Sequence, residues 1–423
     1  MVCCSLASVK THQESEPNLA TRSTWVFSAA LALFFFLATL ARSWVSIIHL
    51  PPDPGLEFQI LAKTDGLSNI FDSYNGYLQV LPRLLSEILN LVPLSQLTYW
   101  STFLNALITM VCAFAVTQAL RELTGTKTAI FVGLVLATSF PAHEGLVGNL
   151  WAIRWILLPA TCVIASVPVF AQRYWRFTLF LFLATGLAHA YIFIPTCIYL
   201  LHSYIRHDYR ARTYVLGSSL VGLSVFQGFG YLNSSRQLQL YGESTVYWPW
   251  TGSGIFWWAV FTVPLLFAII SVLPILKIQI PSPKDFNPRS SIAVQAVLIS
   301  VLSYLQLGVK SSPAVATVSI SFAAVMVGMY KSNNLLTRLR IDSLMKITCS
   351  FVLIVLSIRF YFPSYFLTNG VGWPRTVESS LIQCQKSDIE SSELVIFEIG
   401  DLVQSENLPC NSLITWDTWF YRR

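Results

Sequence analysis

Charge is what this sequence has least of. Only 11% of its 423 residues are Asp, Glu, Lys or Arg, where a soluble domain carries about 25%. That scarcity excludes an ordinary soluble globular protein. The net charge of +6 therefore says nothing about nucleic acid, and no nucleic-acid partner is expected; in an integral protein excess Lys and Arg gathers in cytoplasmic loops. The motifs of many soluble enzymes are missing too. There is no Gly-rich phosphate loop, no Ser/His/Asp arrangement, no HExxH and no Zn-type pair of cysteines. Nor is there an internal repeat, so the inverted halves of many secondary transporters are not evident.

Apolar residues fill the space that charge leaves. The chain is 54% hydrophobic and 14% aromatic, and runs approaching membrane-spanning length, about 20 residues, recur from Trp25 to Tyr361. Eleven spans are expected: 25–48, 96–120, 127–141, 148–170, 175–188, 190–205, 213–230, 254–276, 291–309, 313–330 and 343–362. Starting inside, the short loops of one side hold 16 of the 27 basic residues, against Lys63, Arg83, Arg236 and Lys310 on the other. That bias places the N-terminus in the cytoplasm and the C-terminus outside it. The fold expected is thus an all-α polytopic membrane protein of about 11 transmembrane helices. Residues 1–24 form a polar, disordered cytoplasmic N-terminus, 25–362 the transmembrane domain and 363–423 a small extracytoplasmic tail with "ELVIFEI" as its one strand. A disulfide between Cys384 and Cys410 suits an oxidising compartment and a tail too small to hold itself together by burial.

Between the first two spans lies "IFDSYNGYLQVLPRLLSEI". From Tyr77 to Leu91 the apolar residues recur at three- and four-residue spacing, the pattern of a helix lying in the membrane interface. Tyr74 and Tyr77 suit the headgroup level. In the same topology the polar residues gather on the external side: Asp53, Glu57, Asp65, Asp72, Arg83, His143, Glu144, Asn149, Arg154, His189, Arg236 and Glu243. A charge within a span is costly and usually functional or paired. Arg154, in "NLWAIRWILLP", is such a charge, with snorkelling to the interface or a pair with Glu144 as the structural alternatives. A carboxylate near water can take a proton from an attacking hydroxyl. Guanidinium groups can hold the phosphate of a lipid-linked donor. For any single acid of the first loop, a solvated loop residue is the plainer reading. His143, Glu144 and His189 are the residues that a divalent metal would use, without a recognisable ligand spacing.

The segments "PPDPGLEFQILAKTDG", "YNGYLQVLPRLL" and "AHEGLVGNLWAIRW" resemble those of poorly characterised bacterial polytopic proteins of the GT-C glycosyltransferase type. The matching positions are Tyr74, Gly76, Tyr77, Leu78, Pro82 and Arg83, then Glu144, Asn149 and Trp151. The resemblance implies an inverting enzyme of the bacterial plasma membrane that uses a polyprenyl-phosphate sugar, with membrane lipid as its other partner. It also implies a catalytic carboxylate soon after the first span, best matched by Asp53; the acidic doublet common in such enzymes is reduced here to Pro52 and Asp53. Glu57, Asp72 and Glu144 are the further catalytic candidates. Tyr77, Arg83, Asn149, Trp151, Arg154, His189 and Arg236 are the candidates for substrate binding. The Tyr77 to Leu91 helix would floor the cleft, with Arg83 available to a lipid phosphate. The contrasting expectation is a transporter or flippase of a lipid-linked or polar substrate, which would place its ionisable residues near the midplane.

Overall fold

A computed structural model describes residues 19–43, 62, 66–71, 73–74, 77–139, 150–207, 210–232, 288, 291–292, 294–296, 298–299, 302, 373–386, 394–397 and 406–410. Helices dominate. In chain order they are α1 (Leu19–Arg42), α2 (Val80–Leu89), α3 (Leu97–Thr124), α4 (Thr126–Ser139), α5 (Ile153–Ala165), α6 (Pro168–Arg173), α7 (Trp175–Gly186), α8 (Phe193–Ile205), α9 (Ala211–Leu232) and α10 (Trp373–Lys386). Two small antiparallel pairs accompany them: β1 (Ser73–Tyr74) with β2 (Tyr77–Leu78), and β3 (Leu394–Phe397) with β4 (Glu406–Pro409).

Several boundaries differ from the expected spans, each for a local reason. α1 starts at Leu19, so residues 19–24 are helical where a disordered N-terminus was expected. The run 148–170 is not one helix. Its turn at Ser166 and Val167 is followed by Pro168 in the first turn of α6, where a missing N–H has no intrahelical bond to lose. The span expected over 254–276 and those over 313–330 and 343–362 lie outside the described residues, so eleven is not established. Among the described residues one helical stretch, Leu94–Thr124, is long and apolar enough to cross a membrane.

The core runs between α1, α3, α4, α5 and α7, and buried polar groups link the helices within it. Thr39 Oγ1 donates to the Ala137 carbonyl at 2.9 Å, and the Thr161 and Thr185 hydroxyls meet at 2.6 Å between α5 and α7. Small residues allow close approach. A Cβ on Gly186 would sit 2.7 Å from Leu223, and one on Gly133 would meet Thr117 and Phe35. Among the described residues, parts of the outer surface are apolar. Val221, Val225 and Phe229 recur every fourth residue along α9 and are all exposed, as are Phe103 and Leu107 on α3. Exposed apolar side chains in such rows are what lipid, rather than water, accommodates.

α7, α8 and α9 run up, down and up again, and so define two ends. At one end, Gln227 of α9 joins Leu78 and Gly186, and α2 lies across the corner. At the other, His202 Nε2 and Ser291 Oγ meet at 2.7 Å, and Gln295 Nε2 donates to Ser166 Oγ at 2.7 Å. α10 packs on Leu94–Gln96, next to α2 in the chain. Cys384 of α10 and Cys410, just after β4, are disulfide-bonded with their Cα atoms 5.5 Å apart.

Candidate functional site at the α2 corner

α2 is shorter than the Tyr77 to Leu91 helix expected, because Tyr77 and Leu78 are taken into β2. Its first turn is held from outside. Leu81 N donates to the Leu187 carbonyl at 3.0 Å, satisfying an amide that a helix start leaves without an intrahelical acceptor. The face turned inward carries Val80, Pro82, Arg83, Ser86 and Leu89, while Ile88 and Leu91 point out. Arg83 is only 3% exposed. One turn along, Glu87 is hydrogen-bonded by Asn90, whose Nδ2 donates to Oε2 at 3.3 Å.

The turn Leu150–Ala152 packs against α2 and leads directly into α5. Arg154 is therefore in the first turn of α5, at 1% exposure, rather than a full turn inside a long span. Its guanidinium carbon lies 4.9 Å from the centre of the Trp155 ring, a cation–π distance. Trp155 meets His189 edge to face, with ring centres 4.6 Å apart. His189, at the turn between α7 and α8, accepts from Tyr191 N through Nδ1 at 3.1 Å and lies 4.9 Å from the Tyr191 ring. Burial first, and the Arg154 guanidinium second, hold the His189 imidazole well below its usual range.

The corner thus joins the element carrying Arg83 to those carrying Arg154 and His189, three of the substrate-binding candidates. Tyr77 and Trp151 belong to it through their backbones, in β2 and in the turn before α5. Asp53, Glu57, Asp72, Glu144, Asn149 and Arg236 lie outside the described residues, as do Asp65, His143 and Glu243. Sequence reasoning passed over Gln79, Trp155 and Gln227. Gln79 is fully buried beside α2, and among the described residues neither polar atom of its amide has a hydrogen-bond partner. Gln227 is the residue with a readable signal: a lone amide within the apolar "VGLSVFQGFGYL" must find partners inside the protein.

For a metal, the described residues offer no group of three His, Cys, Asp or Glu side chains. His189 has Nδ1 engaged with Tyr191 N and a guanidinium close by, which disfavours a second cation. The described part of the corner fits an anion better than a divalent metal.

No protein-family model matches the chain, and no curated protein matches it. Among solved structures it is similar to the crystal structure of the Archaeoglobus fulgidus oligosaccharyltransferase in complex with Zn and sulfate, with a TM-score of 0.45 and 11% identity. The match covers 85% of this chain and 56% of that one, so the chain spans little more than half the length of that protein.

Proposed function

We propose that the chain is a membrane glycosyltransferase of the GT-C type that moves a sugar from a polyprenyl-phosphate donor to an extracytoplasmic acceptor. The observation that carries the reading is the gathering of two deeply buried guanidinium-bearing elements, those of Arg83 and Arg154, at one end of the bundle, with the buried amide of Gln79 beside the first. Two cations in an apolar setting favour a phosphate far more than they would in water. An arginine can hold that phosphate by two parallel hydrogen bonds.

In the step proposed, the acceptor hydroxyl oxygen attacks the anomeric carbon as the bond to the phosphate oxygen breaks. The configuration inverts and the electron pair leaves with the polyprenyl phosphate. The acceptor proton passes to a carboxylate, for which Asp53 is the candidate and Glu57, Asp72 and Glu144 are the alternates. Arg83, with Arg154 and Arg236 as the alternates, neutralises the charge that grows on the leaving phosphate. Tyr77, Asn149, Trp151 and His189 are assigned to the sugar or the acceptor.

The test uses purified full-length protein and a radiolabelled polyprenyl-phosphate sugar. Asp53→Asn keeps size and polarity while removing the basic oxygen, so transfer should fall by roughly 100- to 10,000-fold with folding unchanged. Arg83→Lys should raise the donor KM, because a lysine does not reproduce the bidentate contact. Normal donor kinetics in both Arg83→Lys and Arg83→Ala would leave Arg83 without a phosphate role. Sugar movement across a vesicle membrane without any transfer product would favour the transporter reading.

A further inference from the structure

Gln79, the residue before α2, is fully buried, and among the described residues neither end of its side-chain amide has a hydrogen-bond partner. The backbone around it is nonetheless firmly placed. Leu78 is held by Gln227, which also reaches Gly186, and Leu81 N donates to the Leu187 carbonyl, so the chain is pinned on both sides of Gln79 against the turn that leads to His189. Arg83 N donates to the Gln79 carbonyl at 3.2 Å, which sets Gln79 one helical turn, about 5.4 Å, ahead of Arg83. Trp155 meets the same turn through His189; it is 1% exposed, and its indole Nε1 is likewise unpartnered among the described residues.

A buried amide without partners lowers stability, and an apolar side chain of similar size would remove that cost. The polar residue at this place therefore points to a ligand, and the chemistry of the three atoms narrows its class. Gln79 offers a donor in Nε2 and an acceptor in Oε1, whereas Trp155 offers a donor alone. A phosphodiester carries no proton at neutral pH and would satisfy only the donors. Adjacent sugar hydroxyls satisfy both ends of the amide, one accepting from Nε2 and the other donating to Oε1.

From these groups we infer that Gln79 is a specificity residue for the sugar of the donor, binding two adjacent hydroxyls, with Trp155 Nε1 as a further donor to the same ligand. The inference rests on the reading of Arg83 as the phosphate residue, since the sugar is bonded directly to that phosphate and Gln79 stands one turn away. Gln79 is closed to water, so a sugar that reaches it displaces its present cover. The hydrogen bonds made there are strengthened by the apolar surroundings.

The experiment titrates the full chain in detergent calorimetrically with short-chain polyprenyl-phosphate glucose, mannose and galactose. Polyprenyl methyl phosphate, a diester of the same charge without a sugar, is the control. The parent should bind at least one sugar donor more tightly than the control. Gln79→Leu and the unbranched Gln79→Met remove both hydrogen bonds and should weaken that donor roughly tenfold, with the control bound as before. Neither variant should melt below the parent, because an unpartnered amide contributes no stability, whereas an amide that serves the fold or holds a buried water would cost stability when lost. Trp155→Phe keeps an aromatic edge for His189, loses the Nε1–H and should weaken the same donor several-fold. A parent that binds donors and control alike, equal weakening of both in the Gln79 variants, an undiminished preference for the sugar, or a lowered melting point in both variants would overturn the inference and leave the phosphate reading standing. A parent that binds neither donors nor control would overturn the phosphate reading and the inference with it.

Discussion

Gln227 grips Leu78 by both ends of its amide. Oε1 accepts from Leu78 N at 3.1 Å and Nε2 donates to the Leu78 carbonyl at 3.0 Å, while the same nitrogen reaches the Gly186 carbonyl at 2.6 Å. One side chain of α9 thereby completes the edge of β2 and covers the end of α7. Gln227→Leu keeps the bulk and strands these backbone groups in a buried place. At about 1 kcal/mol for each lost bond, and more for each group left unsatisfied, the cost should be about 2 to 4 kcal/mol. The buried thiols of Cys112 and Cys162 report unfolding through a thiol-reactive dye. An unchanged midpoint would mean that the clamp contributes nothing.

The Cys384–Cys410 bond closes a loop across a sequence separation of 26 and joins α10 to the end of the β3–β4 pair. Chain-entropy reasoning gives such a closure about 3.5 kcal/mol. Cys384→Ser and Cys410→Ser should each abolish the mobility shift seen on reduction, and each should raise amide exchange in β3 and β4 while leaving α5 and α7 protected. A shift that persists in either variant would assign it to another cysteine pair.

Glu87 supplies a pH dependence. Burial raises its carboxyl above the ordinary 4.5, and the hydrogen bond from Asn90 offsets part of that rise. A raised acid is more easily protonated folded than unfolded. Its contribution to stability is therefore fully present below pH 4.5 and is lost as the pH climbs through the raised value. Glu87→Gln cannot ionise and still accepts from Asn90. The variant should match the parent at low pH and melt at a higher temperature above that window. A melting difference independent of pH would exclude this origin.

The amphipathic character of α2 was legible in the spacing of Leu81, Leu84, Leu85, Ile88 and Leu91, and its interfacial placement was read from it; that Leu81 and Leu85 would pack on the core and Arg83 would be buried was not. In water the apolar stripe marks the core. Here Ile88 and Leu91 point outward and Arg83 and Ser86 inward, the arrangement that suits a helix against lipid. Arg154 was recognisable because a charge in an apolar run stands out. Its contact with Trp155 is one between chain neighbours, but the approach of His189, 35 positions later, is a product of helix packing that no local pattern encodes. The break at Ser166 and Val167 was missed because hydropathy sums across a turn, although Pro168 marked the place.

The helices behind the corner are short. α7, whose Phe180 and Leu183 are exposed, has 12 residues, and α5, wholly buried beside it, has 13, which gives lengths of about 18 and 20 Å, against a hydrocarbon layer of about 30 Å. Such hydrophobic mismatch is relieved when the surrounding bilayer thins. The headgroup plane would then dip toward the ends of these helices, and the level at which a lipid carries its phosphate would descend with it toward Arg83 and Arg154. In a thinned bilayer the corner would meet the headgroup level without any movement of the described helices.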